Sequence, residues 1–212
     1  MYVRRDMKLV AATTNKHKIE EIRAIAGAFG YSVISRAEAG VPDFEVEEDG
    51  VTFEENSLIK ASAIYGWFNG EVATIADDSG IEVDFLGGAP GVLSARFAGD
   101  GGDKANNKKL LDLLKDVPLE ERTARFVSVI VCLLPGREPL VCRGEVSGHV
   151  DFKETGTAGF GYDPLFIPLG YDRSFGLFTP EDKNSISHRS RALKVLAEKL
   201  SGIAAAEAGT QK

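Results

Sequence analysis

The chain has 212 residues, 43% hydrophobic and 27% charged, the balance of an ordinary globular protein with one domain or one domain and a sizeable lobe. Its formal net charge of −7 argues against non-specific binding to nucleic acid, which needs a basic face, yet a local cluster of Lys and Arg could still hold a small anionic substrate. No run approaches the length of a membrane span and the N-terminus lacks an apolar signal core, so a cytoplasmic protein with no membrane contact is expected.

Residues 1–6 are polar and charged and read as a flexible extension, with Met7 an alternative start. Lys8 to Thr14 is β-prone, and Ile19, Ile22, Ala26 and Phe29 then recur at helical spacing until Gly30. Strand, polar turn and helix in this order open an α/β unit. A second β-prone stretch, Tyr31 to Ser35, leads into an acidic loop from Asp43 to Gly50. Thr52-Phe53-Glu54-Glu55 has the capping-box form, which predicts a helix with Leu58, Ala61, Ile64, Tyr65 and Phe68 on its apolar face. The apolar run Val72 to Ala76 is expected to break at Asp77-Asp78-Ser79-Gly80 into a turn, with a short second strand at Ile81 to Phe85.

Residues 87–102 are glycine-rich and predicted to be irregular, and Asp103 should cap a helix running to about Leu114. Arg125 to Leu134 and Leu140 to Val150 read as two long strands joined by a short loop. Cys132 and Cys142 flank that loop symmetrically, so a disulfide is geometrically conceivable, but two cysteines without an export signal favour buried, reduced thiols. No Cys/His spacing suggests zinc. A strand is expected at Asp163 to Ile167 and a helix start at Thr179-Pro180. Ser187 should cap the last helix, whose face is Ala192, Leu193, Leu196 and Leu200, and the tail from Ser201 should fray. The expected fold is α/β, an elongated mixed sheet flanked by helices, in a single domain over residues 7–200.

Four polar clusters, together with the Asp77-Asp78-Ser79-Gly80 break, could carry chemistry. Carboxylates and a hydroxyl at a glycine break can hold a divalent cation beside a phosphate, because oxygen ligands suit Mg²⁺ and glycine permits close approach. The alternative is a turn in which these groups satisfy the backbone. Thr13, Thr14, Asn15, Lys16, His17 and Lys18 surround a helix N-terminus and could cradle phosphate, or simply cap the helix. One of Glu45, Glu47, Glu48 and Asp49 could share an ion with Asp77 or Asp78, or the run could be a solvated loop. Neighbouring strand residues face opposite sides, so the two aspartates should not serve one ion equally. Phe160, Gly161, Tyr162 and Asp163 could offer a ring on which a base stacks, or pack inward. Lys183 with Ser187, His188, Arg189 and Ser190 could bind phosphate or base oxygens, or cap a helix.

In this order the segments resemble the inosine/xanthosine triphosphate pyrophosphatases, the Ham1-like family. The matching pieces are Thr13-x-Asn15-x-x-Lys18, Phe53-x-Glu55-Asn56-x-x-x-Lys60-Ala61, Ala76 to Gly80, Gly87 to Gly91, Ser94-Ala95-Arg96, Gly159 to Pro164 and Ile186 to Arg189, spread over residues 8–200. The resemblance implies Mg²⁺-dependent hydrolysis of XTP, ITP and dITP to the monophosphate and pyrophosphate, a two-lobed fold with its site in a central cleft, and a homodimer. By the same resemblance, Asp78 activates the water that attacks the α-phosphorus, and Glu48 and Asp78 hold the metal. Thr13 to Lys18, Ser79 and Lys183 contact the nucleotide, mainly its phosphates, while Phe160 to Asp163, His188 and Arg189 hold the base. Arg189 would donate to the 6-oxo group, and the amino group of adenine would leave such donors unpaired.

Two departures matter. His17 stands where the family often has glycine, which leaves the role of Lys16 open, and the choice between Glu47 and Glu48 depends on alignment across a loop. Two other readings remain: a Maf-like pyrophosphatase for pyrimidine or modified nucleotides, and a nucleotide-binding sensor without chemistry.

Overall fold

The computed structural model describes residues 7–209; the expected extension at residues 1–6 lies outside them, as do residues 210–212. The strands are β1 (Lys8–Ala11), β2 (Ser32–Ser35), β3 (Thr74–Val83), β4 (Thr123–Leu133), β5 (Leu140–Val150) and β6 (Phe166–Pro168). The helices are α1 (Lys16–Ala28), α2 (Phe53–Trp67), α3 (Gly102–Leu113), α4 (Pro180–Ile186) and α5 (His188–Gly209). The strands form one sheet in the order β2-β1-β3-β4-β5-β6. β1 pairs in parallel with β2 and β3, whereas β5 and β6 are antiparallel, so the sheet is mixed as expected.

Two compact units divide the chain. The first comprises residues up to 78, 128–144 and from 189 onward; the second comprises 79–127 and 145–188. In the first, Ile22 and Ile25 of α1 and Ala192, Leu193, Leu196 and Leu200 of α5 pack with Leu9, Ala11, Ile75 and Ile130 of the sheet. In the second, Leu110 and Leu114 join Ile81, Val83, Phe126, Val150, Phe166 and Phe175. Each core buries branched and aromatic side chains from both layers, where burial of one such side chain contributes about 1.5–3 kcal/mol.

Local signals act where the sequence puts them. The Asn15 side chain accepts from the Lys18 amide at 3.2 Å and starts α1. Thr52 and Glu55 complete a reciprocal capping box at the start of α2. Thr179 accepts from the Asp182 amide ahead of Pro180 at the start of α4.

Four expectations are corrected. β3 is one uninterrupted strand, so Asp77-Asp78-Ser79-Gly80 lies within it and not at a turn. Gly80 serves packing: a Cβ there would strike Ser94 and the Gly91 carbonyl, and the Ser94 hydroxyl caps the Ile81 amide at 3.0 Å. On α2 the buried face is Phe53, Asn56, Ser57, Lys60, Ala61 and Ile64, while Leu58 is exposed. Asp103 does not cap α3, which begins after Gly101; its carboxylate accepts from the Gly161 amide at 2.7 Å. The tail does not fray at Ser201, because α5 continues to Gly209 with Ile203 and Ala204 against the core and Glu207 paired with Arg137. Ser187 ends α4 directly before α5 begins. Cys132 and Cys142 are buried free thiols.

Candidate active site

The site of the first unit is organised by the alternation of β3. Consecutive strand residues point to opposite faces, so Asp77 and Asp78 meet different partners. Asp77 is fully buried. Its Oδ1 accepts from Ser128 Oγ on β4 at 2.6 Å. Its Oδ2 binds Lys18 Nζ at 2.9 Å and Arg189 Nη2 at 3.1 Å. Arg189, itself fully buried on the first turn of α5, also pairs with Glu21 of α1. Burial alone would raise the Asp77 carboxyl, but Arg189, Lys18 and the Ser128 hydroxyl outweigh it and hold the group well below the usual aspartate range. Asp77 is therefore held in its anionic form above the acid range and ties α1, β4 and α5 together.

Asp78 occupies the other environment. Lys60 Nζ, on the buried face of α2, binds Asp78 Oδ1 at 2.5 Å and Glu48 Oε2 at 2.9 Å. Asp78 Oδ2 is buried with no hydrogen-bond partner among the described residues. Burial raises the Asp78 carboxyl, and the nearby Lys60 and Lys18 only partly offset that rise. The Lys60 ammonium is pulled down by burial but pushed up more strongly by Asp78 and Glu48, so it stays charged. Glu48 is half-buried beside Asp78, while Glu47 is exposed. Of the two glutamates, Glu48 is the one that meets Lys60.

Among the described residues, no group of three or more His, Cys, Asp or Glu side chains could hold an ion by itself. A hard cation that keeps its waters and borrows phosphate oxygens needs only one or two carboxylates. The bare oxygen of Asp78 and the adjacent Glu48 carboxylate fit that requirement.

At the start of α1, Thr13 accepts from the Asn15 amide at 3.2 Å. Thr14, Asn15, Lys16 and His17 are exposed around the helix N-terminus, and Lys18 reaches inward to Asp77. A helix N-terminus with Lys16 and Lys18 beside it suits a phosphate group.

The second unit carries the other expected cluster. Asp163 Oδ2 binds Lys183 Nζ at 2.6 Å with both side chains buried, and also accepts from the Phe160 amide at 2.8 Å. The Lys183 ammonium lies 4.9 Å from the centre of the half-buried Phe160 ring. Gly161 is fixed by Asp103 at its amide and by Asn107 Nδ2, which donates to its carbonyl at 3.1 Å. Tyr162 is buried and donates to the Ser94 carbonyl at 2.9 Å. His188 is buried and stacks on Phe126 with ring centres 4.8 Å apart. Ser79 is half-buried on β3 immediately after Asp78.

Not every anticipated residue has the anticipated surroundings. Arg189 directs its guanidinium to Asp77 and Glu21, and Tyr162 and His188 turn their rings into the core, so the geometry gives these three positioning contacts. Sequence reading quoted Lys60 in a matching segment without giving it a role, and missed Glu21 and Ser128 as members of the site. Lys60 had a signal, since it shares a helical stripe with Phe53, Ala61 and Ile64, where a lysine is expected only if its charge is met.

A sequence profile described as the Ham1 family matches residues 9–199. A dITP/XTP pyrophosphatase of Clostridium perfringens is 46% identical over 201 residues, covering 92% of this chain and 98% of its own. A dITP/XTP pyrophosphatase of Bacillus subtilis is 45% identical over 192 residues, covering 90% and 96%. The solved Ham1 protein of Staphylococcus aureus superposes with a TM-score of 0.81 at 41% identity, over 92% of this chain and 98% of its own.

Proposed function

This chain belongs to the Ham1 family, and on that premise we propose that it hydrolyses the deaminated purine nucleotides XTP, ITP and dITP to the monophosphate and pyrophosphate. The observation that carries the reading is the buried Asp78 carboxylate with one oxygen bare and the other held by Lys60. Burial raises the basicity of this carboxylate, which favours its acting as a proton acceptor. In the reaction, the Asp78 carboxylate takes a proton from water as the water oxygen bonds to the α-phosphorus. The bond from that phosphorus to the bridging oxygen breaks, and pyrophosphate departs with the electron pair.

Glu48 and Asp78 would hold Mg²⁺, which offsets the charge of the triphosphate and acidifies the attacking water. Lys18 and the N-terminal end of α1 bind phosphate oxygens, supplying charge and a fixed dipole where negative charge develops. Asp77 aims Lys18 at that task. Phe160 offers a ring to the purine, and Asp163 and Lys183 hold the Phe160 segment in shape. Ser128 and Arg189 act at one remove, by fixing Asp77.

The reading extends to a single nucleotide pyrophosphatase domain over residues 7–200, a cytoplasmic setting and assembly as a homodimer. Among the described residues no helix is long and apolar enough to cross a membrane. Release of pyrophosphate from ITP in Mg²⁺, lost in Asp78→Asn, is the direct test of the proposal.

A further inference from the structure

The hydrolytic reading does not explain the position of Lys60 in the first unit's site. Its ammonium bridges the two carboxylates assigned to the metal, Glu48 at 2.9 Å and Asp78 at 2.5 Å, with its side chain 10% exposed. Two acids brought together this closely repel unless a cation neutralises them, and here the chain supplies that cation itself. A divalent ion held by the same two carboxylates would lie a few ångströms from the ammonium, and two cations at that range in a partly dry site are mutually costly. Lysine can resolve the conflict by moving, since its charge rides on a flexible four-carbon stem.

We propose that Lys60 is a resident counter-cation that the metal displaces, so that Lys60 and the divalent ion compete for the Glu48–Asp78 pair. This rests on the reading that those two residues hold the metal. The released ammonium then needs a new anion, and an incoming triphosphate provides one. Metal binding to the nucleotide-free protein is accordingly weak, and strong only when nucleotide is present to receive Lys60. The exchange makes occupation of the site conditional on substrate.

Two measurements on the full chain test it. The first is Mn²⁺ affinity by titration calorimetry without nucleotide, for the unchanged protein and for Lys60→Met. The variant should bind at least about tenfold more tightly, the low end of what removing one unit charge near the ion gives. Its melting temperature should fall in chelator and recover with Mn²⁺. Equal or weaker binding in a folded Lys60→Met overturns the proposal while leaving the metal assignment intact.

The second needs no variant and covers the case where Lys60→Met does not fold. Acetylation of Lys60 by an amine-reactive reagent, read by mass spectrometry, should rise several-fold when saturating Mn²⁺ is added alone and fall back when a non-hydrolysable ITP analogue is added with it. A Lys60 labelling rate that the metal and analogue leave unchanged overturns the exchange. Absence of Mn²⁺ binding to any form, with or without the analogue, would instead sink the metal assignment and this proposal with it.

Discussion

Asp77 and Asp78 are consecutive in β3, yet Asp77 is enclosed by Ser128, Lys18 and Arg189 while Asp78 keeps a buried oxygen bare. Strand alternation alone separates them, and it divides one pair of carboxylates into an architectural anion and a reactive one. Substitution of each should therefore fail differently.

Asp78→Asn removes the proton acceptor but keeps the shape, and Lys60 retains Glu48 as a partner. Turnover of ITP should fall by at least about two orders of magnitude, the usual effect of losing a general base, with the melting temperature little changed. Near-normal turnover in the folded variant would remove Asp78 from its assigned role.

Asp77→Asn strips a fully buried anion from Lys18 and Arg189. Breaking such a pair costs about 3–5 kcal/mol. At roughly 2–4 °C per kcal/mol for a chain of this size, calorimetry should show melting about 10 °C lower. The pH dependence has a definite sign, because the folded carboxyl titrates below its unfolded value. Its contribution is complete above about pH 5 and is lost as pH falls from about 3.9 toward the folded value. The stability gap between the two proteins should thus narrow in acid; a gap that widens there would contradict this account.

Much of this was legible before the structure. Thr52 and Glu55, Asn15, and Thr179 with Pro180 are local devices whose partners lie within a turn, so their spacing alone located three helix starts. The β4–β5 pair was equally plain, since both strands are long and β-prone. What escaped depends on neighbours remote in sequence. Gly80 looked like a turn residue, whereas it makes room for Ser94. Lys60 stands in a recognisable segment, but its partners Glu48 and Asp78 emerge only in the fold. Arg189 looked available to a base until Glu21, far away on α1, was found to share it with Asp77.

Phe160→Ala tests the assignment of the purine to the second unit. Base–aromatic stacking contributes about 1–3 kcal/mol by alanine substitution, so KM for ITP should rise by about tenfold with kcat nearly kept. A fall in kcat with KM unchanged would mean that Phe160 supports the fold and does not touch the base.

The cysteines give a prediction about reactivity. Burial pushes the Cys132 thiol up to about 12, and burial raises Cys142 as well. Neither should react with a thiol reagent at pH 8 in the folded protein, whereas both should react once guanidinium unfolds it. Because the folded state favours the protonated thiols, stability should decline as pH rises past about 8.5, the unfolded value. A single reactive thiol at pH 8 would contradict the burial.

The most direct test of the central claim is pyrophosphate release from ITP, XTP, dITP, ATP, GTP and dTTP, each with Mg²⁺ and with chelator. The account predicts strong release from the first three in Mg²⁺, little from the others, and little from any in chelator. Equal turnover of all six would contradict recognition of a deaminated purine, and no turnover of any would contradict the hydrolytic assignment itself.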